Sequence, residues 1–353
     1  MADKLSIVGM GIVSSIGSGA EINAAIMRCN LDGFILSEFI DPVSNENIVT
    51  SPVSYREHKT TAIERMAEQA AESIEQAYST SGINHNAPIP IILCLQSYEQ
   101  PGFIFSEKLG FKLFNLIRAE LSFKIHQDSC LVLQHRAGFV TALKKAQEML
   151  NQAHDFDVLA GVENNCSSGA IAGYLRKRRL LSESQSDGFI PGEAASSVML
   201  CSVQTEKRYF KKTHVQISGI GLSREKATLD ACEKDDAVLL GAGLTEAMKT
   251  ALNNAGYSMD QMKFIVSSLS GESYFFEESS LSKTRCLQKR VETLPLWHPA
   301  DCIGEVGSAV GGAMSIMASI AMMKQYAPGN LALCQISNDD EIRGAFVLEY
   351  PEV

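Results

Sequence analysis

The sequence predicts an α/β protein built from two similar β/α halves, residues 1–205 and 206–353, forming one pseudo-symmetric unit. Three observations predict it. Each half opens on a short apolar strand ending in glycines, Leu5-Ser-Ile-Val-Gly-Met-Gly11 and Val215-Gln-Ile-Ser-Gly-Ile-Gly221. Each then alternates amphipathic helices with short apolar runs, a pattern that suits a sheet buried on both faces. The chain of 353 residues exceeds the usual single-domain size, and its 45% apolar content can fill a large core.

The elements follow in matching order. In 60–80, Ala62, Ile63, Met66, Ala67, Ala70, Ala71, Ile74 and Ala77 recur at helical spacing. In 243–255, Leu244, Ala247, Met248, Ala251 and Leu252 do the same, with Gly256 as the stop. Each helix leads to an apolar β-rich run, 89–95 and 264–269. A second pair begins at small residues: Ala137-Gly138 opens a helix to about Leu150 before a strand at 156–160. Gly304 to Gly312 opens another before a strand at 331–336. Residues 30–60 and 275–297 read as irregular insertions. Asp187-Gly-Phe-Ile-Pro-Gly-Glu-Ala-Ala195 reads as a tight loop entering a buried strand through 198–200. Gly188 and Gly192 allow positive φ or close backbone approach there.

The net charge of −10 argues against nucleic-acid or anionic-membrane binding, which needs a basic face. The one basic run, Arg176-Lys-Arg-Arg179, reads as a solvated helix end or a docking patch for an acidic carrier protein. Nine scattered cysteines without CxxC pairs favour reduced, mostly buried thiols and a cytoplasmic location. The N-terminal apolar run is too short for an export signal. The tract 309–323 is too short and too rich in Gly and Ser to span a membrane and reads as a buried helix. No metal spacing, Walker motif or dinucleotide fingerprint is present, so neither a metal nor a cofactor is expected.

The loop at 187–195 closely resembles the "DGF-x-x-GEGA" signature of the β-ketoacyl-(acyl-carrier-protein) synthases of the thiolase-fold superfamily. Ile7 to Gly17 resembles that family's opening strand and loop. Phe156 to Glu163 is similar to its "D-x-x-L-x-G-G-x-E/D" strand, and Gly304 to Gly311 to its "G-H-x-x-G-A-A-G" helix start. The resemblance implies a thiolase-like fold, with duplicated β/α halves in five layers, αβαβα. It also implies an acyltransferase chemistry with three parts: a cysteine at a helix N-terminus, two histidines, and an oxyanion hole of backbone N–H groups. One of those N–H groups comes from the cysteine and one from a late glycine-rich loop.

The chain departs from that pattern at every part. The family's spacing, counted back from Glu163, puts the nucleophile position at His135, and Cys130 lies upstream, where a buried strand is expected. The segment Leu269–Ser273 has no histidine, Glu305 stands where the second belongs, and Ser337-Asn-Asp-Asp-Glu341 is acidic instead of glycine-rich. His135, Glu272, Glu305 and His298 are the polar groups expected at the centre. A His135–Glu305 pair would offset the burial cost of both.

Three functions follow from these residues. One is a non-condensing ketosynthase-like protein of fatty-acid or polyketide metabolism, a pseudo-enzyme that binds acyl chains or partners an active ketosynthase. Another is an active acyltransferase or thioester hydrolase with a rebuilt His135, Glu305 and Glu272 site. The last is a scaffold homodimer. A homodimer, or a heterodimer with a ketosynthase, is expected, with the edge segment at 131–133 as the contact and an acyl carrier protein as a further partner.

Overall fold

A computed structural model describes residues 4–55, 61–83, 87–96, 106–152, 154–234 and 237–351. The elements up to the signature strand are β1 (Leu5–Ser14), β2 (Gly17–Ser18), α1 (Ala20–Arg28), β3 (Ile35–Ile40), β4 (Asn47–Thr50), α2 (Ala62–Ser81), β5 (Ile91–Leu95), α3 (Glu107–Glu120), β6 (Cys130–Leu133), α4 (Gly138–Gln152), β7 (Asp157–Asn164), α5 (Ser168–Arg176) and β8 (Glu193–Ser202). After α6 (Val203–Tyr209) come β9 (Gln216–Arg224), α7 (Leu229–Glu233), α8 (Ala242–Ala255), β10 (Phe264–Ser267), α9 (Ser273–Cys286), β11 (Leu296–Trp297), α10 (Ala300–Ile303), α11 (Val310–Met323), β12 (Leu331–Ser337) and β13 (Ile342–Glu349).

The strand order repeats. One unit runs β6-β5-β7-β8-β1 and the other β11-β10-β12-β13-β9. In each, the first three strands are parallel and the last two pairings antiparallel. The units join at a short seam, Leu5 opposite Ile217 and Ser6 opposite Gln216, so the path is one continuous sheet. Helices α4 and α11 touch strands of both units and form the middle layer. The outer layers are α2 with α3 on one side and α8 with α9 on the other. Apolar clusters fill the four spaces between these layers: the largest surrounds α4 and α11 on both faces, and one lies beneath each outer layer.

The glycine pairs that open the halves have one job in both. A Cβ on Gly9 or Gly11 would lie 1.9 or 2.0 Å from the carbonyl oxygens of Ala77 and Ser73 on α2. On Gly219 or Gly221 it would lie 2.1 or 2.0 Å from those of Ala251 and Ala247 on α8. Each pair lets a helix backbone lie directly on a strand, a separation no larger residue permits.

Two readings of the sequence are corrected. The supposed insertion at 275–297 is mostly α9, ending in the short edge strand β11. Its helical period is hidden because the buried face is largely polar: Phe275, Glu278, Ser279, Ser282 and Cys286. Glu278 pairs with Arg343 at 2.6 Å, and the hydroxyl of Ser282 donates to the Gly241 carbonyl at 3.0 Å. The described part of 30–60 contains a two-stranded antiparallel ribbon, β3 with β4, and 56–60 lies outside the described residues.

Candidate functional site

The turn between β6 and α4 is set by its backbone. His135 holds φ at 49°, an unusual left-handed conformation for a non-glycine residue, and so redirects the chain sharply from strand to helix. Its N–H donates to the Leu95 carbonyl at 3.1 Å. The next free helix-start donor, Ala137 N–H, is capped by the Asn338 side chain at 2.8 Å, and the Asn338 amide in turn donates to the Gln134 carbonyl at 2.9 Å. The His135 and Ala137 N–H groups of this elbow are therefore committed inside the protein.

A buried ion-pair cluster occupies the space beside the elbow. Arg136, 2% exposed, donates from Nη1 to Glu305 Oε2 at 2.9 Å and from Nη2 to Asp339. Arg179, 5% exposed, grips Glu272 with two parallel bonds of 2.6 and 2.7 Å and reaches Asp339 Oδ2 at 2.5 Å. Such fork-to-carboxylate geometry is the strong form of the interaction. Glu305 also accepts from the Gly307 N–H at 2.8 Å. The Arg136 guanidinium lies 4.7 Å from the Phe275 ring centroid, and that of Arg179 lies 5.5 Å from Phe189. Burial works against ionisation of Asp339, but Arg179 and Arg136 outweigh it and hold that carboxyl well below the usual range. Burial likewise opposes the charge of Arg136, and Glu305 and Asp339 overcome it.

The structure thus brings Glu272 and Glu305 to one centre with the His135 elbow, but it pairs them differently from the expectation. Arg136, not His135, is the partner of Glu305. His135 turns toward Glu163, with Nε2 3.6 Å from Oε1, and neither ring nitrogen has a hydrogen-bond partner among the described residues. The other oxygen of Glu163 accepts from Ser308 N–H and Oγ, both at 2.8 Å. His298 is outside the cluster: its Nδ1 lies 2.8 Å from Asp301 Oδ2, beside a cavity of about 420 Å³ lined by Met27, Trp297 and Tyr326. Cys130 sits within the strand β6 and not at a helix start. Arg179 is likewise no solvated helix end, because the chain turns at Arg178, φ 54°, and sends the next side chain inward.

Arg136, Arg179 and Asp339 are the members of this cluster that the sequence reading did not single out as site residues. One signal was present: an acidic loop replacing glycines at 337–341 calls for buried cations nearby, and the sequence offers Arg136 beside the elbow.

The signature loop ties this centre together. Asp187 accepts from Ser273 N–H and Oγ, both at 2.7 Å, at the start of α9. Glu305 N–H donates to the Ile190 carbonyl at 2.8 Å, and Gly192 N–H to the Glu305 carbonyl at 2.9 Å. The loop glycines serve close approach, not positive φ: a Cβ on Gly192 would lie 2.2 Å from the Ile303 carbonyl oxygen. Glu193, fully buried, accepts from Arg65, Gln69, Asn164 and the Val53 N–H. The thiol nearest this loop, Cys166, donates to the Pro191 carbonyl at 3.3 Å, and burial pushes its pKa far up, so it is not a ready nucleophile.

The chain has the thiolase-like fold that ketosynthase structures also have, and its centre is filled by ion pairs. No family model matches the sequence. The chain is a distant homologue of "Putative 3-oxoacyl-[acyl-carrier-protein] synthase, mitochondrial" of Schizosaccharomyces pombe (strain 972 / ATCC 24843). The two are 21% identical over 280 residues, which cover 73% of this chain and 61% of the relative, so the match spans about three fifths of that protein's length. Among solved structures it superposes on a chain of a type II PKS acyl-carrier protein in complex with its ketosynthase bound to the hexaketide (TM-score 0.81, 13% identity), covering 99% of this chain and 100% of that one. It also superposes on the ishigamide ketosynthase/chain length factor (TM-score 0.78, 14% identity, 100% of both chains). A third match is a β-ketoacyl synthase from Burkholderia phymatum STM815 (TM-score 0.75, 13% identity, 99% and 100%). No helix among the described residues is long and apolar enough to cross a membrane.

Proposed function

We propose that this chain is a non-condensing ketosynthase-like protein of fatty-acid or polyketide metabolism, acting as an acyl-binding or structural partner of an active ketosynthase. One observation carries the reading: Arg136, Arg179, Glu272, Glu305 and Asp339 form a closed ion-pair cluster at the centre where the family's chemistry would run. At the position the resemblance assigns to the nucleophile stands His135, whose N–H is already bonded to the Leu95 carbonyl. An oxyanion needs a free, preorganised donor at that point, and a decarboxylation needs a group free to stabilise the enolate. The similarity to a ketosynthase/chain length factor structure supports a partner role. A carrier protein is the natural source of the acyl chain, given the fold's relatives.

A second reading is favoured by His135 and Glu163, a buried imidazole and carboxylate whose facing atoms have no hydrogen-bond partner among the described residues. Such a pair can move a proton, as thioester hydrolysis requires. One experiment separates the two readings. The chain is incubated with acyl-carrier-protein thioesters and followed by intact mass and by free thiol release. The partner reading expects binding without an adduct and without thiol release. A stable acyl adduct on any residue sinks it, and thiol release lost in His135→Ala establishes the enzyme reading. No binding of carrier or acyl chain leaves a scaffold homodimer.

A further inference from the structure

We propose that His126, Asp128 and His154 form a binding site for a divalent transition-metal ion, best suited to zinc, that closes the base of the β6–turn–α4 unit. Among the described residues this is the one place where three His, Cys, Asp or Glu ligand atoms all lie within 4.8 Å of one another. His154 Nε2 lies 2.9 Å from Asp128 Oδ2, and His126 Nδ1 lies 3.4 Å from the same oxygen. Tetrahedral zinc with bonds of about 2.0–2.1 Å requires ligand atoms roughly 3.3 Å apart, so the two measured spacings bracket the required edge.

The chemistry of the donors agrees. His126 Nδ1 accepts from the Asp128 N–H at 3.1 Å, which makes it the unprotonated ring nitrogen, and a metal would take that lone pair over from the hydrogen bond. The Nε2 of His154 faces the Asp128 carboxylate, so a cation arriving between them replaces a shared proton. Two imidazoles with one carboxylate suit zinc better than a hard, oxygen-seeking cation. Asp128 is half exposed and His154 11% exposed, leaving a side open for water as fourth ligand and as the entry path. The backbone is pinned on both sides. His126 N–H donates to the Ile89 carbonyl at 3.0 Å, and the Ser129 hydroxyl donates to the His126 carbonyl at 2.7 Å. His154 N–H donates to the Met149 carbonyl on α4 at 3.3 Å.

The site is invisible as a sequence motif because its third ligand lies far along the chain from the first two. The intervening residues are β6, the His135 elbow and α4. A metal there would tie the loop entering β6 to the exit of α4, holding the elbow from its open end. Closing such a loop removes entropy from the unfolded chain and raises stability.

The test uses the full chain, chelator-stripped under reducing conditions, and zinc chloride alone. Titration calorimetry compares the wild type with His126→Gln/His154→Gln and with the surface substitution Asp128→Asn, which preserves shape. The wild type is expected to bind one equivalent more than the double variant, and Asp128→Asn to bind that equivalent more than about tenfold more weakly. Zinc should raise the thermal midpoint of the wild type and leave that of the double variant unmoved. Cobalt(II) in the wild type should show visible ligand-field bands without a thiolate charge-transfer band. Equal zinc stoichiometry and equal stabilisation in the wild type and the double variant, or a thiolate-type cobalt spectrum in both, overturns the proposal.

Discussion

Arg136 and Glu305 meet at 2.9 Å across the middle of the molecule, one from the turn before α4 and the other from the loop before α11. Each stands at or beside a position that the family resemblance reserves for catalysis, and together they turn two reactive positions into one structural contact. A buried pair stabilises little against apolar residues of equal size, yet breaking it leaves an uncompensated charge. Arg136→Met alone should therefore cost about 3–5 kcal/mol of stability. The double substitution Arg136→Met/Glu305→Met should recover a large part of that loss, as measured by urea denaturation of all three variants and the wild type.

Restoring a thiol should not restore the chemistry. In His135→Cys the residue 135 N–H still donates to Leu95, and Arg136, Arg179 and Asp339 still fill the space beside it. Intact-mass analysis after exposure to an acyl-carrier thioester should show no mass gain. An acylated protein would mean that the elbow retains a working oxyanion site.

Asp339 and Asp157 should give pH effects of opposite sign. The two guanidiniums, against the effect of burial, hold the folded pKa of Asp339 below its unfolded value. Its contribution is present above about pH 4 and is lost as pH falls through the lowered folded pKa. Asp339→Asn should flatten the acid limb of a stability–pH curve.

Asp157 is fully buried on β7, with no hydrogen-bond partner for either oxygen among the described residues. Burial first, and the negative charge of Asp128 second, push its pKa from 3.8 up to about 8. The folded state then keeps a proton that the unfolded chain has released, so stability falls as pH rises from about 4 to about 8. The slope is at most about 1.4 kcal/mol per pH unit. Asp157→Asn should remove that slope and gain on the wild type most at pH 8; urea midpoints of both proteins at pH 5 and pH 8 would show it.

Gly11→Ala and Gly221→Ala should destabilise by similar amounts, because each Cβ would meet a helix carbonyl at 2.0 Å. Overpacking of this kind costs about 1–3 kcal/mol. Alanine at the exposed cap Gly82 has no such neighbour but must hold φ at 69°, so its smaller loss separates contact from conformation. Thermal midpoints of the three variants give the comparison.

Much of the fold was legible because its signals are local. The Ala-rich stripe of α2, the Gly256 stop of α8 and the apolar runs of β5, β10 and β12 are each set by neighbours within a few turns of chain. The helix α9 escaped because its buried face carries Glu278, Ser279 and Ser282, which apolar periodicity cannot register. Their burial is sensible only beside Arg343, Gln335 and Gly241, residues far away in sequence.

The candidate site divides in the same way. By itself the sequence determined the repeated β/α scaffold, and it is the resemblance, counted residue by residue, that implies His135 and Glu305 stand at the family's catalytic positions. Only the tertiary structure decided that Arg136 takes Glu305, that Arg179 turns inward to Glu272 and Asp339, that His135 faces Glu163, and that His298 lies elsewhere. Electrostatic pairing depends on which charges end up within a few ångströms in a place water cannot reach, and that distance is a property of the packed layers, not of the chain order.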